Sequence, residues 1–336
     1  MTRVGLIVNP AAGHDIRRLT GGASVVDDYA KRRVAGCVLD GLTTISDPPS
    51  VEIMPDRSGI ADTVVSEAPD SIHIEQIEMS VEGSAADTQR AAEHFSDDAD
   101  VAVVLGGDGT TRDAAMEIGD VPVVSVSTGT NNVVPTPVDG TVAGAAAAIV
   151  ATDRIDVDAA IDRHGTVDVV ADDVTGTKRL NGLATVEITD RSFIGTRAVV
   201  DPSELLGGVV SRAHPVDIGL GAAAGCLEPL APDDPGGAAL RLDAPDETDR
   251  TVRAIIAPGM VAEIGVVEHE RLSWGESAVF EISDVVIGAD GEREIEIVDA
   301  TVEMTPRHDG LRLVDAKRTL KHAAEAGILS EQQPGR

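Results

Sequence analysis

Apolar residues in the first half of the chain fall in short unbroken runs, separated by stretches with helical spacing. Residues 4–8, 51–54, 72–77, 101–105 and 121–126 read as strands, and 101–105 as one that is fully buried. Helices are expected over 24–42, 60–68, 85–95, 110–118 and 141–150. Strands alternating with helices predict a parallel, doubly wound α/β sheet. After residue 151 the texture changes. Segments 166–170, 183–188, 251–256, 278–282, 294–298 and 311–314 alternate apolar with polar positions, as antiparallel strands with one solvated face do. Residues 229–237, rich in Pro, Gly and Asp, read as a surface loop, and 316–326 as a closing helix. The expectation is an α/β domain over 1–150, a β-rich domain over 151–315, and a C-terminal helix and tail over 316–336. A cleft would lie between the halves, faced by the carboxyl ends of the early strands.

Composition sharpens this picture. With 336 residues, 42% of them hydrophobic, the chain can bury a sizeable core. Acids outnumber bases 58 to 27, a net charge of −31, and the acids are spread along the whole chain. Lysine is confined to Lys31, Lys178, Lys317 and Lys321. Few lysines among so many acids suit a surface adapted to very high salt, where repulsion is screened. Nucleic acid would meet a repulsive surface and is not expected as a partner. No apolar run is long enough for a membrane span, and no secretory pattern opens the sequence, so a cytoplasmic location is expected. Cys37 and Cys226 read as reduced, buried thiols, and the scattered histidines predict no structural metal.

The strongest chemical signal is the junction where residues 101–105 run into Gly106-Gly107-Asp108-Gly109-Thr110. An acid at the carboxyl end of a buried strand stands where open α/β sheets bind ligands. Glycines beside it let backbone N–H groups approach a phosphate. The plain structural alternative is a tight turn with Asp108 capping the helix. The motif lacks the Gly-Lys-Ser/Thr of a Walker A loop, and Arg112 stands where GxGxxG requires its last glycine. Ser127-Thr128-Gly129-Thr130-Asn131-Asn132 also follows a strand and should open on the same cleft, while Asn9-Pro10-Ala11-Ala12-Gly13 reads as the loop after the first strand. Asp290-Gly291 and Arg307-His308-Asp309-Gly310 read as hairpin turns. Gly219-Leu220-Gly221-Ala222-Ala223-Ala224-Gly225 is either a wall that a ligand packs against or a flexible bend. Arg191 and Arg197 are either phosphate partners or solvated.

These motifs, in this order, resemble the NAD kinase and diacylglycerol kinase superfamily, and most closely its ATP-NAD kinase/AcoX-like branch. Gly106 to Thr110 is similar to the family's GGDGT, followed here by Arg112-Asp113, and Asn9-Pro10 to its first loop. Thr128 to Asn132 resembles its GT-x-N loop, Leu180-Asn181-Gly182 its Asn-Glu pair with the Glu replaced, and Asp290-Gly291-Glu292 a late Asp-Gly-Glu. The resemblance implies an ATP- and Mg²⁺-dependent transfer of the γ-phosphoryl group to a hydroxyl, the adenosine 2′-hydroxyl of NAD, giving NADP. It implies Asp108 as the acid that takes or orients the proton and Glu292 as a second acid. Asn9, Gly106, Gly107, Gly109, Thr110, Thr128, Gly129, Thr130, Asn131, Asn132 and Asn181 would be the nucleotide-binding residues. It further implies a homo-oligomer. Gly182 and the lack of a Gly-Ser-Thr-Ala-Tyr segment depart from the NAD kinases. They leave open a lipid or small metabolite as acceptor, polyphosphate as donor, or a nucleotide-binding regulator without turnover.

Overall fold

The computed structural model describes residues 2–11, 27–129, 132–190, 202–232, 234–257 and 259–330. In the first half, strands β1 (Arg3–Val8), β2 (Ser50–Ile53), β3 (Ile74–Gln76), β4 (Val101–Gly106) and β5 (Val123–Ser127) alternate with helices α1 (Asp28–Leu42), α2 (Ile60–Ser66), α3 (Ala85–Asp98), α4 (Asp108–Ala115) and α5 (Gly140–Ala151). The strands pair in parallel in the order β3-β2-β1-β4-β5. The unbroken apolar run of β4 has a direct cause. In β4, Val101, Val103 and Leu105 point into one core with α1, α2 and α5, while Ala102 and Val104 point into another with α3 and α4. A strand covered on both faces has no position left for a polar residue.

The second half is antiparallel. Strands β6 (Ile161–Arg163), β7 (Thr166–Asp173), β8 (Gly176–Gly182), β9 (Thr185–Asp190), β10 (Leu205–Val210), β11 (Gly237–Asp243), β12 (Thr251–Ala257), β13 (Met260–Leu272), β14 (Ala278–Ile282), β15 (Val285–Ala289), β16 (Glu292–Ile297), β17 (Ala300–Arg307) and β18 (Arg312–Val314) follow. Seven of them form the sheet β12-β13-β11-β10-β9-β15-β16 and four the sheet β14-β17-β7-β8. One core lies between these two sheets, around Val167, Val186, Phe280, Ile287 and Val302. On the other face of the larger sheet, helix α6 (Gly219–Leu227) buries Leu220, Ala222, Ala223 and Ala224. The glycine-rich segment 219–225 is thus helical rather than a flexible bend, and its first residues, Gly219 and Leu220, line a pocket between the two halves.

Two other expectations are corrected by pairing. Residues 311–314 were expected among the antiparallel strands of the second half, yet β18 joins the first sheet, parallel to β5, with β6 antiparallel on its far side. Residues 307–310 are therefore a crossing between the halves and no hairpin. This crossing runs beside residues 164–165, where the chain crosses in the other direction. His164 N–H donates to Leu311 O at 2.8 Å and Arg163 Nη1 to Gly310 O at 3.2 Å. The closing helix α7 (Ala316–Glu325) lies where expected and packs against α5.

Candidate active site

The strand order places β1 and β4 side by side while the chain leaves them in opposite directions, toward β2 and toward β5. That topological switch point opens a crevice at the strands' carboxyl ends. Asn9 ends one wall and Gly106-Gly107-Asp108 the other. Asn9 Nδ2 donates to Thr110 Oγ1 at 2.9 Å, bridging the two, while its Oδ1 accepts from Ala11 N at 2.9 Å. The three glycines have ordinary negative φ, so their role is space rather than backbone freedom. A β-carbon at 106 would lie 2.5 Å from Thr110 Cβ. At 107 it would lie 3.0 Å from Asn132 Oδ1, and at 109 3.3 Å from Glu292 Oε1. Each glycine therefore makes room for another residue of the motif set, which draws Thr110, Asn132 and Glu292 onto the start of α4.

Helix α4 begins at Asp108, two residues before the sequence expectation, with Gly107 as its N-cap. Asp108 is therefore not the cap. Its carboxylate turns away from its own helix. Oδ1 accepts from Val133 N at 3.0 Å and Val134 N at 2.9 Å, and Oδ2 from Val133 N at 2.9 Å. Asp108 is 8% exposed and lines a pocket between the two halves, shared with Val133, Ala184, Thr185, Glu187, Leu205, Ile218, Gly219, Leu220, Ile256, Asp290 and Gly291. On its flank, Asn132 Nδ2 donates to Ser127 Oγ at 2.6 Å, and Ser127 Oγ to Gly129 O at 2.7 Å. Thr128 N donates to Gly106 O at 3.1 Å, tying this loop to the end of β4. Thr130, Asn131, Arg191 and Arg197 lie outside the described residues.

The structure brings most of the expected residues together but not all. Asn181 sits on β8, where its Nδ2 donates to Asp168 Oδ1 at 2.8 Å, and it is not on the pocket wall. Its neighbour Gly182 has no space for a side chain: a β-carbon there would lie 2.6 Å from both Thr185 O and Val186 Cγ2. The Asp290-Gly291 turn forms as expected, both residues with positive φ, joining β15 and β16. Its acid has a second role that the turn signal does not carry. The Asp290 carboxylate accepts from Leu183 N at 2.9 Å, Ala184 N at 2.7 Å and Thr185 N at 3.1 Å.

Arg112 links this turn to the helix bearing Asp108. Its Nη1 donates to Ala289 O at 2.8 Å and its Nη2 to Glu294 Oε1 at 2.5 Å, with Asp290 Oδ2 at 3.8 Å. Burial works against the guanidinium charge, but Asp290 and Glu294 outweigh it and raise its pKa. Burial pushes the Asp290 carboxyl up, while Arg112 and the three N–H groups pull it back only in part. Asp113, on the same helix, is pushed up to about 6 by burial, with Glu292 and Glu294 adding to the rise against Arg112. Sequence reasoning noted Arg112 and Asp113 only as part of a motif. The spacing of Arg112 from Asp108 was a usable signal, since residues four apart share a helix face. Cys37 is only partly buried and Cys226 is exposed, so the two thiols are not the buried pair that was expected. Among the described residues no three His, Cys, Asp or Glu side chains converge as metal ligands. No helix among them is long and apolar enough to cross a membrane.

Comparison with known proteins follows the two halves of this geometry. Residues 4–155 match the ATP-NAD kinase N-terminal domain, and residues 166–309 the acetoin catabolism protein X C-terminal domain. Acetoin catabolism protein X of Cupriavidus necator is 33% identical, over 97% of this chain and 93% of its own length. The chain belongs to the ATP-NAD kinase/acetoin catabolism protein X family. Within this ATP-NAD kinase-type fold the GGDGT segment is the loop just described. The crystal structure of yeast NADH kinase complexed with NADH shares the fold, with a TM-score of 0.56 and 12% identity over 100% of this chain and 90% of the other.

Proposed function

We propose that this protein is a phosphotransferase that passes the γ-phosphoryl group of ATP to a hydroxyl, and that the hydroxyl is the adenosine 2′-position of NAD. One observation carries the reading. The family's acid, Asp108, sits at the first turn of α4 with its carboxylate on the wall of a pocket between the halves. An alcohol is a poor nucleophile, and a carboxylate fixed by backbone N–H groups can accept or orient its proton as the phosphorus–oxygen bond forms. Backbone N–H groups at Gly107, Gly109 and Thr110 would meet phosphate oxygens at the positive end of the helix. Glu292 beside Gly109 and the nearby Asp113 give that end an anionic flank, which fits a cation arriving with the phosphates. Mg²⁺ carried on the triphosphate supplies charge neutralisation there. Asn9, through its bond to Thr110, and Asn132, through its packing on Gly107, are the binding residues this reading retains.

A second acceptor has a specific observation behind it. The site of Gly182 is sterically closed, so the acid that NAD kinases place there has no counterpart. A small hydroxyl metabolite is the alternative. A lipid is disfavoured by a net charge of −31 facing anionic bilayers. The test is to incubate the protein with ATP, Mg²⁺ and NAD in concentrated KCl and assay NADP. NADP formation is expected, and Asp108→Asn should lower turnover by roughly 10²–10⁴-fold while nucleotide binding persists. ATP binding without NADP points to the other acceptor or to a regulator. Full activity in Asp108→Asn removes the assigned role.

A further inference from the structure

Helix α4 carries Asp108 in its first turn and Arg112 one turn later, on the same face. Arg112 is buried, and its guanidinium reaches from the first half into the β15–β16 hairpin. One arm of the fork donates to Ala289 O, at the end of β15, at 2.8 Å. The other donates to Glu294 Oε1, on β16, at 2.5 Å. Glu294 is presented by an irregularity in the ladder. Gly288 pairs with Arg293 and Ile287 with Ile295, which leaves Glu294 as the extra residue between them. A bulge of this kind re-aims a side chain, here toward the helix of the other half.

The hairpin passes the link on. In its turn, Asp290 accepts from the N–H groups of Leu183, Ala184 and Thr185, and its own N–H donates to Thr185 O at 2.9 Å. Ala184 and Thr185 line the pocket together with Asp108. A series of hydrogen bonds thus runs from the helix bearing Asp108, through Arg112 and the Asp290 turn, to a second part of the pocket wall. Leu183 and Ala184 also pack in one core with Val104 and Ala114 of the first half. That packing is non-directional, so it holds the segment near α4 without fixing its angle. A buried guanidinium is also a poor source of stability, because desolvation offsets most of its attraction to a carboxylate. What the planar fork supplies, and a lysine could not, is a fixed direction, with two oxygens on two strands held at once.

We propose that Arg112 is a positioning residue that sets the angle between the helix bearing Asp108 and the pocket wall at residues 183–185, and so aligns the acceptor hydroxyl with the phosphoryl group. It acts through the Asp290 turn and not by touching either substrate. This rests on the phosphotransferase reading, in which α4 meets the phosphates and the pocket wall meets the acceptor. Loss of the fork leaves each substrate its binding surface and spoils their alignment, and a displacement of about 1 Å can cost roughly 10²-fold in rate.

The test compares wild type with Arg112→Lys, which keeps the charge and loses the fork. Turnover to NADP is expressed per ATP-binding site, so that unfolded molecules are not counted. The variant should lose about ten- to hundredfold in kcat, while KM for NAD and Kd for ATP stay within about twofold. Unchanged kcat, or a loss confined to KM or Kd, overturns the proposal. A second measurement needs no acceptor: amide hydrogen exchange at residues 183–185 with and without ATP. ATP should slow exchange there in wild type, through α4 and the fork, and have little effect in the variant. Equal slowing in both, or none in wild type, overturns the proposal whatever the acceptor. If Arg112→Lys does not fold, Glu294→Ala removes one of the two anchors at a side chain that is 23% exposed, and it must show the same losses. ATP binding without NADP formation in wild type is a failure of the NAD reading alone, and the exchange measurement then decides on Arg112. Wild type that binds no ATP removes the phosphotransferase reading and the role of Arg112 with it.

Discussion

Asp113, half-buried, and His164, fully buried, have pKa values displaced in opposite senses of stability. Asp113 rises from 3.8 to about 6 because burial, Glu292 and Glu294 disfavour its charge more than Arg112 favours it. Between about pH 4 and 6 the folded chain therefore holds more protons at this site than the unfolded one. Its contribution to stability falls as pH rises through that window. His164 falls from 6.5 to about 4, chiefly through complete burial and secondarily through Arg212, so it stays neutral in the fold. Its contribution is lost as pH drops from about 6.5 toward 4. Melting temperature measured from pH 4 to 7 at fixed KCl should separate them. Asp113→Asn should rise more steeply with pH than wild type, and His164→Asn should lose part of that rise. Parallel curves for all three proteins would contradict both assignments. Neither shift was legible in the sequence, where Asp113 appears only within the motif, because burial decides it and burial is set by the fold. Asp108 was legible because its chemistry is written locally, in an acid between glycines at the end of an apolar run. Asp290 was legible as a turn and not as an anchor, since Leu183, Ala184 and Thr185 meet it only through the fold.

Helices α1 and α5 approach until backbone meets backbone. A β-carbon at Gly144 would lie 2.0 Å from Val38 O, and one at Gly41 2.2 Å from Thr141 O. The alanine-rich run in α5 reads in this light as a surface kept small so that a neighbour can pack closely on it. Gly144→Ala should therefore destabilise, by about 1–3 kcal/mol from overpacking or more if the helices separate. Gly36→Ala, in the same helix pair, meets no described atom within 4 Å and should stabilise by about 0.5–1 kcal/mol. Both changes gain the same helix propensity, so the difference between them in urea unfolding isolates the steric contact. Equal effects would mean that the helices do not touch as described. Elements of the first half were legible because strands covered on both faces are written as continuous apolar runs. The second half was harder. Strand β10 carries Gly207 and Gly208, and α6 carries three glycines, so neither shows its period in apolar residues. The destination of β18 was not legible at all, because a strand of three residues fits either half and only long-range pairing chooses.

Charge acts on the molecule as a whole. Arginines on the surface already hold acids, as in Arg163 with Asp120 at 2.6 Å, Arg312 with Asp158 at 2.8 Å and Arg318 with Asp162 at 2.7 Å. Added salt weakens each such pair, but an exposed pair contributes only about 0–1 kcal/mol. The surplus of acids, 58 against 27 bases, repels across distances at which salt screens efficiently, since the screening length is about 10 Å at 0.1 M and about 3 Å at 1 M. With 31 more acids than bases, repulsion among like charges is expected to outweigh these pairs, so screening should stabilise the fold. The buried link from Arg112 to Ala289 and Glu294 is shielded from ions and should not weaken in step. We therefore expect melting temperature to rise from 0.1 to 3 M KCl. A general salt effect on apolar burial would also raise it, so the charge origin needs its own control. Changing the exposed acids Asp47, Asp70, Glu117 and Glu247 to their amides removes four negative charges and leaves the core untouched. If repulsion is the cause, this variant melts higher than wild type at 0.1 M KCl, and the two curves converge at 3 M. Curves that stay parallel would assign the salt response to apolar burial, and a wild-type curve that is flat or falling would remove the case for a surface adapted to high salt.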